Sequence, residues 1–307
     1  MERVKFGKTD MMVTKFALGC MPFGTPNLAA GWDPYSAEGE KVVEKTINTA
    51  LDMGINYLDT AVFYGNGHSE TLVGRVMKTR RSDCYLASKC SPRASYDEVI
   101  KSCEDSLRRL QCDYLDVLQL HGSTHVFNEA DRQHIVHGGP LDALNELKRR
   151  GLIRYLGITA EDHLCIDPLI EAGLFDTVQV CYNIIRQGAG VTFLNKCKDG
   201  NYGVCTMRPV TSGIFQRQLE FLCPEWNENN RASMVSLAFG LSDSRVHMLN
   251  IGMRTPASIE RNMKFLNEFM PKFDIAEVPV TAGAIYKSDD VRHGLLNDKA
   301  VNDRPAP

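Results

Sequence analysis

Short runs of β-branched and aliphatic residues recur along the chain, separated by longer stretches in which apolar positions return every three or four residues. The short runs are KFALGC (15–20), INYLDT (55–60), CYLASK (84–89), YLDVLQLH (114–121), IRYLGIT (153–159), TVQVCYN (177–183), YGVCTM (202–207) and VHMLNIG (246–252). Between them lie GEKVVEKTINTALDMG, SYDEVIKSCEDSLRRL, GPLDALNELKRRG and PASIERNMKFLNEFM, whose period is helical. In the second of these Val99, Cys103, Ser106, Leu107 and Leu110 share one face. Strand spacings of about 25–45 residues leave room for one crossover helix per step, the requirement of parallel βαβ units.

Eight such units close into a barrel. The competing architecture, an open doubly wound sheet, would carry a G-x-G-x-x-G turn after an early strand, whereas the first strand here runs into ALGCMPFG. The expected fold is therefore α/β, a (β/α)8 TIM barrel with an N-terminal β-hairpin formed by VKFGKTDMMVTKFALG and turning at Lys-Thr-Asp. One domain is expected over residues 1–307, with the barrel at about 15–270 and a less periodic C-terminal tail at about 271–307 lying across one barrel end.

Composition narrows the function classes. The 307 residues are 43% hydrophobic and carry a net charge of −3, which favours neither nucleic acid nor an anionic membrane surface as partner. The start, MERVKFGKTD, has no apolar segment of the secretory type, and no apolar run approaches the ~18 residues that span a bilayer. The ten cysteines are scattered without a C-x-x-C pair. Reduced thiols packed in the core of a cytoplasmic protein are expected, Cys20 and Cys90 at strand ends included.

In a barrel of this kind catalytic groups collect at the carboxyl ends of the strands and in the loops that follow. Asp59 ends the second strand, Tyr64 lies in the loop behind it, Lys89 ends the third strand and His121 the fourth. A phenol with a pKa near 10 is a poor acid at neutral pH. A neighbouring ammonium lowers that pKa, a carboxylate fixes the ammonium, and an imidazole offers a hydrogen bond to a carbonyl oxygen. None of these groups supplies hydride, so a reduction would need a nicotinamide cofactor. Taken one at a time, each side chain is more ordinarily structural, and their coincidence at one barrel end carries the assignment.

Other polar groups read as structural. Asp116, Asp52 and the arginine pairs at 80–81, 108–109 and 149–150 are expected on solvated faces or at helix ends. His125, His134 and His137 crowd the segment 122–139. Without a cysteine or carboxylate pattern they predict no metal site, and the segment reads as a loop that helps to shape a pocket.

The stretches GINYLDTAVFYGNGHSETLVG (54–74), SK (88–89), YLDVLQLHG (114–122), KRRGLIRYLGIT (148–159), VQVCYN (178–183) and GMRTPASIERN (252–262) together resemble the aldo-keto reductase family, in order and spacing over nearly the whole chain. The resemblance implies an NADP(H)-dependent oxidoreductase, with NAD as the other possible cofactor, that interconverts a small-molecule carbonyl and an alcohol. Asp59, Tyr64, Lys89 and His121 match the catalytic tetrad, with Tyr64 the proton donor. Gln179 matches the residue that binds the nicotinamide carboxamide and Thr159 its usual Ser, although Ala160 replaces the Asn commonly found next. Met207 stands where an aromatic ring often stacks on nicotinamide. Gly19, Arg208 and Pro209 are further cofactor positions, and Ser212 and Gly213 lie where a loop would pass the pyrophosphate. In the segment that begins with Gly252 and Met253, Arg254 is the candidate for a 2′-phosphate and Asn262 for adenine. Ser258 and Arg261 depart from the family's usual Arg and Glu. Phe23, Trp32 and Phe63, with His121, are the candidate substrate contacts. The alternative implied by the same resemblance is a nicotinamide-binding regulatory subunit with little turnover.

Overall fold

A computed structural model describes residues 2–122, 127–225 and 231–269. The tail at 271–307 and His125 lie outside the described residues. An antiparallel pair, β1 (Arg3–Lys5) and β2 (Met12–Thr14), comes first; its turn is closed by the Phe6 N–H donating to the Met11 carbonyl at 2.9 Å. Eight parallel strands follow: β3 (Phe16–Gly19), β4 (Tyr57–Asp59), β5 (Tyr85–Cys90), β6 (Leu115–Gly122), β7 (Ile153–Ala160), β8 (Thr177–Cys181), β9 (Gly203–Met207) and β10 (Met248–Gly252). They close into a barrel in that order, with β10 pairing back onto β3. Both the hairpin and the (β/α)8 barrel expected from the sequence are present.

The helices on the outside are α1 (Ala37–Asp52), α2 (His68–Arg80), α3 (Tyr96–Leu110), α4 (Glu129–His137), α5 (Pro140–Arg149), α6 (Asp167–Glu171), α7 (Phe193–Asp199), α8 (Ile214–Leu222), α9 (Arg231–Ser242) and α10 (Pro256–Glu268). On α3 the five residues predicted to share a face are all buried, and Ser95 and Glu98 form a capping box at its start. Helix α4 corrects the reading of 122–139 as a loop. It buries only Ile135, so its period is faint, but Asn128 and Asp131 cap it reciprocally. No helix among the described residues is long and apolar enough to cross a membrane.

The two-residue period of the strands sorts their side chains into two cores. Leu58, Leu86 and Leu118 point outward, into the ring of apolar contacts between strands and helices. Tyr57, Ala87 and Val117, their neighbours in sequence, point inward and meet Phe6, Met11 and Val13 of the hairpin, which plugs the amino-terminal end of the barrel. Each fully buried leucine of the outer ring contributes about 1.5–3 kcal/mol relative to exposure. The next inward positions along β4, β5 and β6 are Asp59, Lys89 and Gln119, above the hairpin-filled layer.

Asp116 does not lie on a solvated face. It is 1% exposed, and three donors explain why. Arg81 reaches its Oδ2 at 2.7 Å, Arg154 its Oδ1 at 2.6 Å, and the Leu86 N–H its Oδ2 at 2.8 Å. Arg109 likewise turns inward, to the fully buried Glu70 at 2.7 Å. The sequence shows no local partner for either carboxylate, because the arginines arrive from other elements. Arg149, by contrast, stays on the surface in an i,i+3 pair with Glu146, as expected.

Candidate active site

Asp59 at the end of β4 and Lys89 in β5 are both 1% exposed and joined by an ion pair of 2.7 Å. The Lys89 ammonium spends its other protons on the Thr60 carbonyl at 2.8 Å and the Tyr64 hydroxyl at 3.0 Å. Tyr64 reaches this point because the loop after β4 turns sharply. Gly65, Asn66 and Gly67 all have positive φ, at 66°, 51° and 89°, a conformation that glycine adopts without strain and Asn tolerates. A Cβ on Gly65 would also strike the Tyr35 hydroxyl at 2.3 Å. Tyr35 in turn stacks on His68 at 4.2 Å between ring centroids and donates to the Gly24 carbonyl at 3.0 Å, binding the loop after β3 to the loop after β4.

His121, near the end of β6, packs edge-on to Tyr64 with ring centroids 5.8 Å apart, and Phe63 tilts against its other side at 5.5 Å. The four residues singled out from the sequence therefore meet at the carboxyl-terminal mouth of the barrel. Two residues that sequence reasoning missed complete the cluster. Gln119 donates to Asp59 Oδ1 at 2.8 Å, and Asn250 donates to Asp59 Oδ2 at 2.7 Å. Gln119 lies two residues before His121, on the same inward face of β6, and that period was the available signal.

The electrostatics modify the expectation for the phenol. Burial works against a charged Lys89, but the Asp59 carboxylate and the hydrogen bonds to Asp59 and Tyr64 outweigh it and hold the ammonium above its ordinary range. Burial raises the Tyr64 pKa, Lys89 pulls it down, and Asp59 pushes it up again, so the net shift is upward. The ammonium alone does not make this phenol acidic, because burial outweighs its pull and Asp59 offsets part of its field. Burial, with the Lys89 charge, takes His121 down to about 3, which leaves a neutral imidazole at physiological pH. A neutral ring beside a hydroxyl can hold one carbonyl oxygen from two sides.

The cofactor candidates lie in β3, β7, β8, β9 and β10, in the segments that follow β9 and β10, and in α10. Thr159 and Gln179 are buried; Thr159 Oγ1 accepts the Gly122 N–H at 3.2 Å, and Gln179 Nε2 meets Cys205 Sγ at 3.7 Å. Gly19 ends β3, where a Cβ would come within 2.7 Å of Asn250 Oδ1. Met207, Arg208 and Pro209 lead out of β9, and Arg208, Thr211 and Ser212 all have φ near +54°, a run of strained non-glycine residues before Gly213. Arg208 is anchored to Glu161 at 2.7 Å and to Ser212 at 3.2 Å; Glu161 was not foreseen. Gly252, Met253 and Arg254 lead from β10 towards α10, and the Arg254 guanidinium makes no ion pair among the described residues. Ser258 is used as the capping partner of Thr255. Arg261 and Asn262 follow in the same helix.

Of the candidate substrate contacts, only Phe63 is open, at 57% exposure. Phe23 is fully buried, and Trp32, 8% exposed, donates its indole N–H to the Pro22 carbonyl at 2.8 Å. These two rings support the loop after β3 from within. No group of His, Cys, Asp and Glu that could hold a metal occurs among the described residues, and His134 is engaged with the Ala94 carbonyl at 3.0 Å. Cys20 and Cys90 are fully buried, and burial pushes both thiols up, as inert core cysteines require.

The chain is similar to known proteins in sequence and in fold. A Bacillus subtilis protein described as an uncharacterised oxidoreductase, YqkF, is 33% identical over 171 residues, 52% of this chain, and the chain spans 49% of that relative's length. L-galactose dehydrogenase of Arabidopsis thaliana is 24% identical over 85% of this chain and 87% of its own. The holo form of an aldo-keto reductase from Bacillus halodurans superposes with a TM-score of 0.73 at 24% identity, covering 89% of this chain and 93% of that one. An aldo-keto reductase from Klebsiella pneumoniae in complex with NADPH gives a TM-score of 0.71 at 23% identity, covering 93% of this chain and 95% of that one. The model of the aldo/keto reductase family matches residues 20–279, which take in nearly the whole barrel and every catalytic candidate, and the chain belongs to that family.

Proposed function

We propose that the protein interconverts a carbonyl and an alcohol with NADP(H), and that Tyr64 is its general acid and base. The observation that carries this reading is the chain of contacts from Asp59 through Lys89 to Tyr64, at 2.7 and 3.0 Å, with the neutral His121 ring beside the hydroxyl. When bound, the dinucleotide supplies the hydride or accepts it. The protein's own task is the proton. In reduction Tyr64 Oη gives its hydrogen to the oxygen of the former carbonyl, His121 holds that oxygen in place, and Lys89 stabilises the phenolate left behind. In alcohol oxidation the phenolate takes the hydrogen back.

The residues around the mouth fit such a cofactor. Gln179 and Thr159 offer amide and hydroxyl groups for a carboxamide. Met207 can lie against a ring, and the exposed Arg254, without an ion pair among the described residues, suits a 2′-phosphate. Arg261 and Asn262 would face the adenosine end, and the segment Arg208–Gly213 the pyrophosphate. Phe63 is the substrate-facing ring of this reading.

The test is to follow nicotinamide absorbance with NADPH and with NADH against a panel of aldehydes, ketones and alcohols. Oxidation of NADPH by at least one carbonyl is expected, with NADH the poorer donor. Tight NADPH binding with no turnover on any member of the panel would favour the regulatory-subunit reading instead.

A further inference from the structure

Asp59 has more donors than an ion pair with Lys89 requires. Its Oδ2 accepts from Lys89 and from Asn250, each at 2.7 Å, and its Oδ1 accepts from Gln119 at 2.8 Å. Gln119 and Asn250 stand on β6 and β10, each two strands away from β4 on opposite sides, so the carboxylate is gripped from both flanks. Barrel interiors are ordinarily filled by branched apolar side chains, and a buried carboxamide costs stability unless it is hydrogen-bonded.

Asn250 bears that cost openly. Its Nδ2 is spent on Asp59, while its Oδ1 is buried with no hydrogen-bond partner. Turning the amide over would set its oxygen against the carboxylate, so the orientation is dictated by Asp59. Packing alone would favour an apolar residue here. Gly19 makes room for the orphaned oxygen, since a Cβ there would lie 2.7 Å from it.

We propose that Gln119 and Asn250 are positioning residues of the reaction: by occupying two of the three lone-pair sites of Asp59 that Lys89 leaves open, they leave the Lys89 ammonium free to face Tyr64. Two amide N–H groups share out the carboxylate's charge and fix its plane. Without them Asp59 would draw Lys89 towards itself and away from the 3.0 Å contact with the Tyr64 hydroxyl. Neither residue touches substrate; both act through Asp59. The inference rests on the reading of Tyr64 given above.

The experiment compares Gln119→Met and Asn250→Ala in the wild-type protein and in an Asp59→Asn background. Each single substitution is expected to lower kcat roughly tenfold, the share of one hydrogen bond to a charged group. KM for the carbonyl and NADPH affinity should hold, and the pH midpoint of alcohol oxidation should move upward. In the Asp59→Asn background neither substitution should lower kcat further, because the group they act through is gone. Losses that simply add in that background, or unchanged kcat and midpoint in the single variants, would overturn the inference. Should Gln119→Met fail to fold, Asn250→Ala, at a partly exposed position, decides alone. If Tyr64→Phe turns over normally, the reading of the reaction fails; if it is inactive while both carboxamide variants match wild type, only this inference does.

Discussion

The Lys89 ammonium stands 3.0 Å from the Tyr64 hydroxyl and 4.7 Å from the centroid of its ring, so one cation touches both the acidic group and the π-face that carries it. Tyr64→Phe keeps the ring and removes only the proton. Turnover should fall roughly 10²–10⁴-fold, with NADPH binding, followed by fluorescence quenching, unchanged. Wild-type turnover in this variant would remove Tyr64 from the reaction.

Lys89→Met leaves Asp59 charged and buried without its cation. Urea unfolding should show a loss of about 3–5 kcal/mol. Adding Asp59→Asn, which removes the unpaired charge and still offers an oxygen to one of the carboxamides, should recover part of that stability and none of the activity. If the single variant proves as stable as wild type, the ion pair does not hold this end of the barrel together.

Two histidines make the fold acid-sensitive. Burial is the main cause that holds His121 at about 3 and His247 at about 4. The unfolded chain takes up protons on both rings below about pH 6.5, whereas the folded chain does not until much lower. The stability that depends on these two neutral rings should therefore be fully present above pH 6.5 and decline as pH falls towards 4. His247 lies 3.1 Å from the Val204 N–H as a candidate acceptor, and His247→Gln, which cannot titrate, should flatten part of the melting-temperature profile. A profile identical to wild type would show that this ring contributes nothing.

Asp116→Ala should destabilise without touching catalysis. It takes the shared carboxylate from Arg81 and Arg154 at the hairpin end of the barrel and orphans the buried Leu86 N–H, leaving Arg154 its pair with Asp10 and Arg81 the Cys84 and Tyr114 carbonyls. The cost should be about 2–4 kcal/mol, somewhat under the fully buried case because Arg154 is a third exposed and partly screened. Calorimetry reads the stability and steady-state kinetics the rest: KM should not change. A raised KM would mean that the two ends of the barrel are coupled.

Much of this protein was legible before any coordinates. The alternation of Tyr57, Leu58 and Asp59 already states that the first and third side chains share a face, and the spacing of the apolar runs already calls for crossover helices. Because catalytic groups in such a barrel gather at strand ends, Asp59, Tyr64, Lys89 and His121 could be picked out together. The local period could not say which side chains meet across the interior. Gln119 and Asn250 bond Asp59 from 60 and 191 residues away, and Arg81 and Arg154 reach Asp116 across 35 and 38. Those partners, and with them the charge balance around Tyr64, were decided only when the sheet closed, because closure brings strands distant in sequence within hydrogen-bonding reach.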